Sequence, residues 1–323
     1  MNTKPGSRFQ MIAGTFAGLA VIGLFIGSAL ADHRAAAPVT AAPQSTGRGA
    51  PNPACVALIV ASSSEKSSQL ATLAGRFDDT HPATGGSCVD VRVEDVSSGA
   101  AVDALAKGWD NASTAPRPDV WSPASTSWVN LLRTRITEAD ARKIVPDTSP
   151  SLLQSPLVIG MPKPMAEAMG WPDRPIGWKD IIAISRDPNG WARYGHPEWG
   201  RFRLGKTNPQ LSTSGLNALV ATSYAASGLE TDLSESDLEQ PATVAFVADL
   251  ERSVVHYGDT TNTFLDNLLQ ADAGGGGLGY ISAMPAEEKK LIAYNKGQIA
   301  SAGHMHRYTT STTLVANNTA AGS

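Results

Sequence analysis

Only two of the 323 residues are cysteine. That excludes a multi-bridge disulfide scaffold and a four-ligand zinc site built on thiolates. Charge is also sparse, at 17% of residues, and the 26 Lys and Arg are outnumbered by 30 Asp and Glu. With no cationic excess to neutralise phosphates, a nucleic-acid partner is not expected. There is no G-x-S-x-G elbow and no H-E-x-x-H pair, so those hydrolase classes lack support. His304 and His306 are close but have no third ligand, so neither a metal nor another cofactor is expected. Gly274, Gly276 and Gly279 have dinucleotide-loop spacing. The expected order around them is helix then strand (residues 278–283), the reverse of a phosphate loop. Against these absences, 42% of the chain is hydrophobic, which excludes a wholly disordered protein. Thirty Gly and 21 Pro supply the many turns of an α/β protein.

Lys4 and Arg8 precede an apolar run over residues 9–31, long enough to span a bilayer. It ends in Ala29-Leu30-Ala31, a small-x-small pattern that a signal peptidase could cut. Residues 1–31 are thus a signal peptide or an N-terminal membrane anchor, and both export the rest of the chain. Residues 32–53 read as a flexible linker. Fifteen of the 19 residues from 35 to 53 are Ala, Pro, Gly, Ser or Thr, too little apolar surface to offset ordering entropy.

One local pattern then recurs. Residues 55–61 (CVALIVA) form a continuous apolar run, as in a strand buried on both faces. The run meets Ser62-Ser63-Ser64-Glu65, where Ser62 and Glu65 fit a capping box, and Leu70, Leu73, Ala74 and Phe77 follow at helical spacing. Residues 88–96 lead likewise to Ser97-Ser98 and a helix, and residues 119–121 lead to Ser122 and a helix. Residues 201–204 lead to Ser212-Thr213-Ser214 and a helix, and a fifth helix starts at Thr260-Thr261. Alternating strand and helix predicts an α/β fold with mainly parallel sheets. Ligands in such folds sit beyond the carboxyl ends of the strands, against helix N-termini. Single Ser or Thr clusters are ordinarily helix caps; clusters at most strand ends predict a shared binding cleft. Cys55 and Cys88 open the first two strands, which should lie side by side. In an oxidising compartment they are expected to form a disulfide.

Two segments are distinctive in wording: residues 202–226 (FRLGKTNPQLSTSGLNALVATSYAA) and residues 253–269 (SVVHYGDTTNTFLDNLL). Together with residues 118–122 (PDVWS) and 291–297 (LIAYNKG), they resemble the extracellular solute-binding modules of actinobacterial envelope proteins. That family has the type II periplasmic-binding-protein fold and is commonly followed by a von Willebrand factor A domain. The resemblance implies two lobes, residues 54–156 and 157–290, with a cleft between them. Carried over, the cleft would be lined by Ser63, Ser64, Ser97, Ser98, Ser122, Ser212, Thr213, Ser214, Thr260 and Thr261. It implies a small polar solute or oxyanion as ligand, a membrane transporter or sensor as partner, and no enzymatic turnover. Few cations sit at the clusters, and Glu65 disfavours an anion unless it turns back into its cap. Residues 291–323 depart from the family and are expected as a low-complexity or aberrant tail of a truncated chain. Of the 25 residues from 299 to 323, 17 are Ala, Ser, Thr, Asn or Gly, and none is acidic. An envelope interaction module with a degenerate, ligand-free binding fold is the alternative reading.

Overall fold

The computed structural model describes residues 54–109, 115–301, 304–307 and 312–318. The segment 1–31 and the linker to residue 53 lie outside the described residues. Among those residues no helix is long and apolar enough to cross a membrane.

The first sheet comprises β1 (Val56–Ser62), β2 (Ala83–Thr84), β3 (Ser87–Asp95) and β4 (Val120–Ser122), in the order β2-β3-β1-β4. β1 runs parallel to both β3 and β4, as the alternating pattern predicts. β2 forms a short antiparallel hairpin with β3. Helices Ser67–Asp78 and Ser98–Ala106 make the crossovers, and helix Thr126–Arg135 follows β4. The register is what matters for function. Ser62 stands opposite Asp95 on one side and Ser122 on the other. Three strands therefore end level, and the turns after them open at one edge of the sheet. At the opposite edge Cys55 and Cys88 form the expected disulfide, with α-carbons 4.6 Å apart.

The second half is built on two sheets: β5 (Leu157–Pro162), β8 (Met284–Glu287) and β11 (Leu314–Asn318) in the order β11-β5-β8, and the pair β6 (Leu204–Thr207) and β7 (Val254–Gly258). β6 and β7 are parallel, and a bridge between Leu204 and Ala283 joins β6 to the β8 end. β5 pairs antiparallel with β8 and with β11. β9 (Gln298–Ser301) and β10 (His304–Arg307) form a separate antiparallel pair. The core of this half centres on Trp178, Ile181, Ile184 and Trp191, all buried, with Phe264, Leu265 and Leu268 on the opposite side. Trp191 keeps its indole N–H satisfied by donating to Ser282 Oγ at 2.9 Å. Trp171 and Trp199 pack against the same cluster.

Several elements differ from expectation for identifiable reasons. β6 begins at Leu204 rather than ending there. Its Gly205 and Lys206 look unlike strand residues, but Lys206 is buried and paired with Glu251. Residues 278–283 are not a strand; Gly277–Tyr280 is a helical turn and the strand starts at Met284. His256 lies in β7, stacked on Tyr280 at 3.9 Å between ring centroids. The expected low-complexity tail from residue 291 is also corrected. Glu288–Asn295 is a helix, and Leu314–Asn318 is an edge strand in which Leu314 and Val315 are buried. A strand ladder is made by backbone groups, so Ala/Ser/Thr/Asn-rich composition does not forbid it. The β-branched Val315 suits it. Asn295 fixes the register: its amide donates to the Leu314 carbonyl at 2.6 Å and its oxygen accepts from the Leu314 N–H at 2.8 Å.

Candidate functional site

The turns after β1, β3 and β4 face the turns and helix starts that follow β6, β7 and β8. Four contacts fix this meeting. Trp128 donates its indole N–H to Thr213 Oγ1 at 2.8 Å. The Gly99 N–H donates to the Leu211 carbonyl at 3.2 Å. Asn262 donates to the Ser64 carbonyl at 2.9 Å, and Lys289 donates to the Glu65 carbonyl at 2.6 Å. Leu216 packs against the cluster of Val102, Trp128 and Leu132, so the junction has an apolar component as well.

Each sequence-predicted residue has a definite place at or near this junction. Ser97 and Thr260 are helix N-caps, accepting from the Ala100 and Thr263 N–H groups. Ser98 Oγ accepts from the Ala124 N–H at 3.1 Å. Ser64 donates to Asp95 at 2.5 Å. Ser122 supplies the carbonyl that accepts from the Ser63 N–H at 3.1 Å. Ser212, Ser214 and Thr261 form one buried hydroxyl chain, with Oγ separations of 3.0 Å and 2.9 Å. Thr207 enters it at Ser214, 2.7 Å away, and Thr261 passes it on by donating to Glu287 Oε2 at 3.0 Å. Thr213 is occupied by Trp128. Ser63 differs from the others. It is 1% exposed, and its hydroxyl has no hydrogen-bond partner among the described residues.

Residues that the sequence reading did not assign to the cleft complete the arrangement. The expected capping box of Ser62 and Glu65 does not form. The helix begins at Ser67 with Lys66 at its N-cap and no side-chain cap, and Ser62 Oγ donates to the Ser63 carbonyl. Glu65 is therefore left buried, with Oε2 lacking a partner among the described residues, and buried Glu287 Oε1 lacks one there too. Three lysines surround the pair but donate to neutral oxygens. Lys66 reaches the Pro123 carbonyl, Lys289 the Glu65 carbonyl, and Lys290 the Asn262 side-chain oxygen. Burial lowers the pKa of all three lysines. Burial first, and the Glu65 charge second, push the Glu287 carboxyl up to about 7.

This shift gives a stability test with a defined sign. Glu287 keeps its proton in the folded chain over a pH range where the unfolded chain has lost it. Its contribution is fully favourable below about pH 4.5 and is lost as pH rises through about 7. Glu287→Gln removes that dependence. The ligand-free variant should be about 1–3 kcal/mol more stable than wild type at pH 8.5, and the gap should close near pH 4.5. Urea unfolding at the two pH values measures it, and an equal gap at both would contradict the assigned cause.

The family relationship agrees with this geometry. Residues 58–321 match the model of the bacterial extracellular solute-binding protein family, and the chain belongs to that family. The match includes the edge strand β11. No curated protein matches the chain. Among solved structures the chain is similar to a periplasmic thiamin-binding protein, at 12% identity and TM-score 0.44, covering 85% of this chain and 76% of that one. It is also similar to a periplasmic binding protein from Actinobacillus pleuropneumoniae with fructose-6-phosphate bound, at 14% identity and TM-score 0.45, covering 75% and 66%. A third is the periplasmic molybdate-binding protein of Azotobacter vinelandii, at 14% identity and TM-score 0.34, covering 82% and 87%.

Proposed function

We propose that the chain holds a small polar solute between two lobes, residues 54–156 and 157–290, and presents it to a membrane transporter or sensor. The carrying observation is that Ser63 Oγ, Glu65 Oε2 and Glu287 Oε1 are all buried without partners among the described residues where the two halves meet. A buried polar group without a hydrogen bond costs about 1–3 kcal/mol, more when charged. Three at one junction mark a place where a ligand supplies the missing partners. The same observation weighs against a ligand-free interaction module, in which nothing would offset that cost. Turnover is not part of this reading, because the family the chain belongs to is one of solute-binding proteins. Residues 9–31 would export the chain and, if uncleaved, tether it through the flexible linker. The wording of residues 202–226 and 253–269 supports kinship with the actinobacterial envelope modules named above.

The test is native mass spectrometry of the full chain purified from an envelope fraction, then thermal melting with the released solute. A bound small molecule that raises the melting temperature is expected. Ser63→Ala should weaken it by about 0.5–1.5 kcal/mol for a neutral ligand group, or about 1.5–3 for a charged one. If the co-purified solute binds Ser63→Ala with unchanged affinity, the site is misplaced.

A further inference from the structure

The unpartnered atoms at the junction differ in what they can accept. Ser63 Oγ can donate or accept a hydrogen bond, whereas an ionised carboxylate oxygen only accepts. Glu65 Oε2 and Glu287 Oε1 are both buried and unpartnered among the described residues. The nearby lysines do not cover them, since Lys66, Lys289 and Lys290 donate to other oxygens. The backbone N–H groups of Lys66 and Ser67 both bond the Ser63 carbonyl, so they are not turned toward these carboxylates. A fully ionised oxyanion carries acceptors alone. It would leave both glutamates unsatisfied and add like charge beside them. Burial and the Glu65 charge favour the protonated form of Glu287 alone as the group that gains relief without a ligand.

Resting on the proposed function, we infer that the solute presents hydrogen-bond donors to Glu65 and Glu287: it is a polyhydroxylated or amine-bearing molecule, not an ionised oxyanion. Hydroxyl and ammonium groups meet the same need, and either gives charge-assisted bonds to the two carboxylates. Ser63, 1% exposed, supplies an independent polar contact on the same wall.

The experiment uses the full chain at pH 8 with named probes. One arm contains D-glucose and myo-inositol, a second contains L-glutamine and putrescine, and a third contains molybdate and sulfate. Thermal melting screens all three arms, and calorimetric titration measures affinity for the probes that stabilise. A probe from the first or second arm is expected to bind, and no oxyanion is. Glu65→Gln and Glu287→Gln should each weaken that probe about tenfold or more, since each loses a charged hydrogen bond. Both variants should stay folded, because each loses an unpaired buried charge. Which of the first two arms responds distinguishes hydroxyl from amine recognition. Binding of an oxyanion that is lost in Ser63→Ala but kept or strengthened in the glutamine variants overturns the solute class and leaves the site standing. Failure of every probe to bind the wild type overturns the site and this assignment together.

Discussion

Gly99→Ala is expected to hold the two halves of the molecule apart and weaken solute binding about a hundredfold, without unfolding either half. Gly99 is the second residue of the helix that follows β3. A β-carbon built on it would lie 1.8 Å from the Gln210 carbonyl oxygen and 2.7 Å from the Leu211 α-carbon. Both obstacles are backbone atoms of the opposite half, so no rotamer change relieves them. Within its own helix alanine is the better residue, by roughly 0.5–1 kcal/mol. The strain therefore falls on the closed arrangement alone. Parting the halves by even an ångström also removes the Gly99 N–H to Leu211 bond and the Trp128 to Thr213 bond. A closed state made about 3 kcal/mol less accessible lowers apparent affinity by about the factor stated. Calorimetry with the co-purified solute and small-angle scattering measure the two consequences. Unchanged affinity with an unchanged radius of gyration would show that close approach at Gly99 is not required for binding.

Removing the disulfide should have the largest effect on stability. Cys55 and Cys88 are separated by 33 residues, and a bond closing a loop of that size contributes about 3–4 kcal/mol in the chain-entropy description. The first sheet has little else at that edge. Val56 is 51% exposed, and the nearest core cluster, Ala61, Ala101, Trp109 and Ala115, is small and lies toward the other end of β1. The second half has the much larger tryptophan-centred core. The Cys55→Ser, Cys88→Ser double variant should thus melt roughly 5–15 °C lower. Its first sheet should exchange amide hydrogens faster while the Trp191 region stays protected. A melting temperature unchanged from wild type, or faster exchange confined to the second half, would contradict this distribution of stability.

These outcomes also mark what could be read from residues alone. The strand runs, the helix starts and the cysteine pairing are local or nearest-neighbour features, and pattern reading recovers them. The hydroxyl clusters did indicate where the halves meet, but mostly by serving as caps and as a hydrogen-bonded chain. Their local spacing could not separate Ser63, the one with an unpartnered hydroxyl, from Ser97 or Thr260. Glu287 and Lys289 were hidden because Glu287-Glu288-Lys289-Lys290 reads as a solvated helix start, and only the tertiary fold brings it against Glu65. Glu65 itself was misassigned to a capping box because the helix starts at Ser67, one turn later than the sequence suggests. The strand Leu314–Asn318 was missed for the opposite reason. Composition argued against it, while the free edge of β5 and the Asn295 amide specify it.

The central claim is that the solute lies between the halves and completes the hydrogen bonding of Ser63, Glu65 and Glu287. A crystal structure of the full chain with its co-purified solute tests this most directly. The expected result is solute donor atoms within about 3.2 Å of Glu65 Oε2 and Glu287 Oε1, with Ser63 Oγ bonded to the same molecule. Solute bound elsewhere on the chain, with those three atoms still lacking partners, would contradict it.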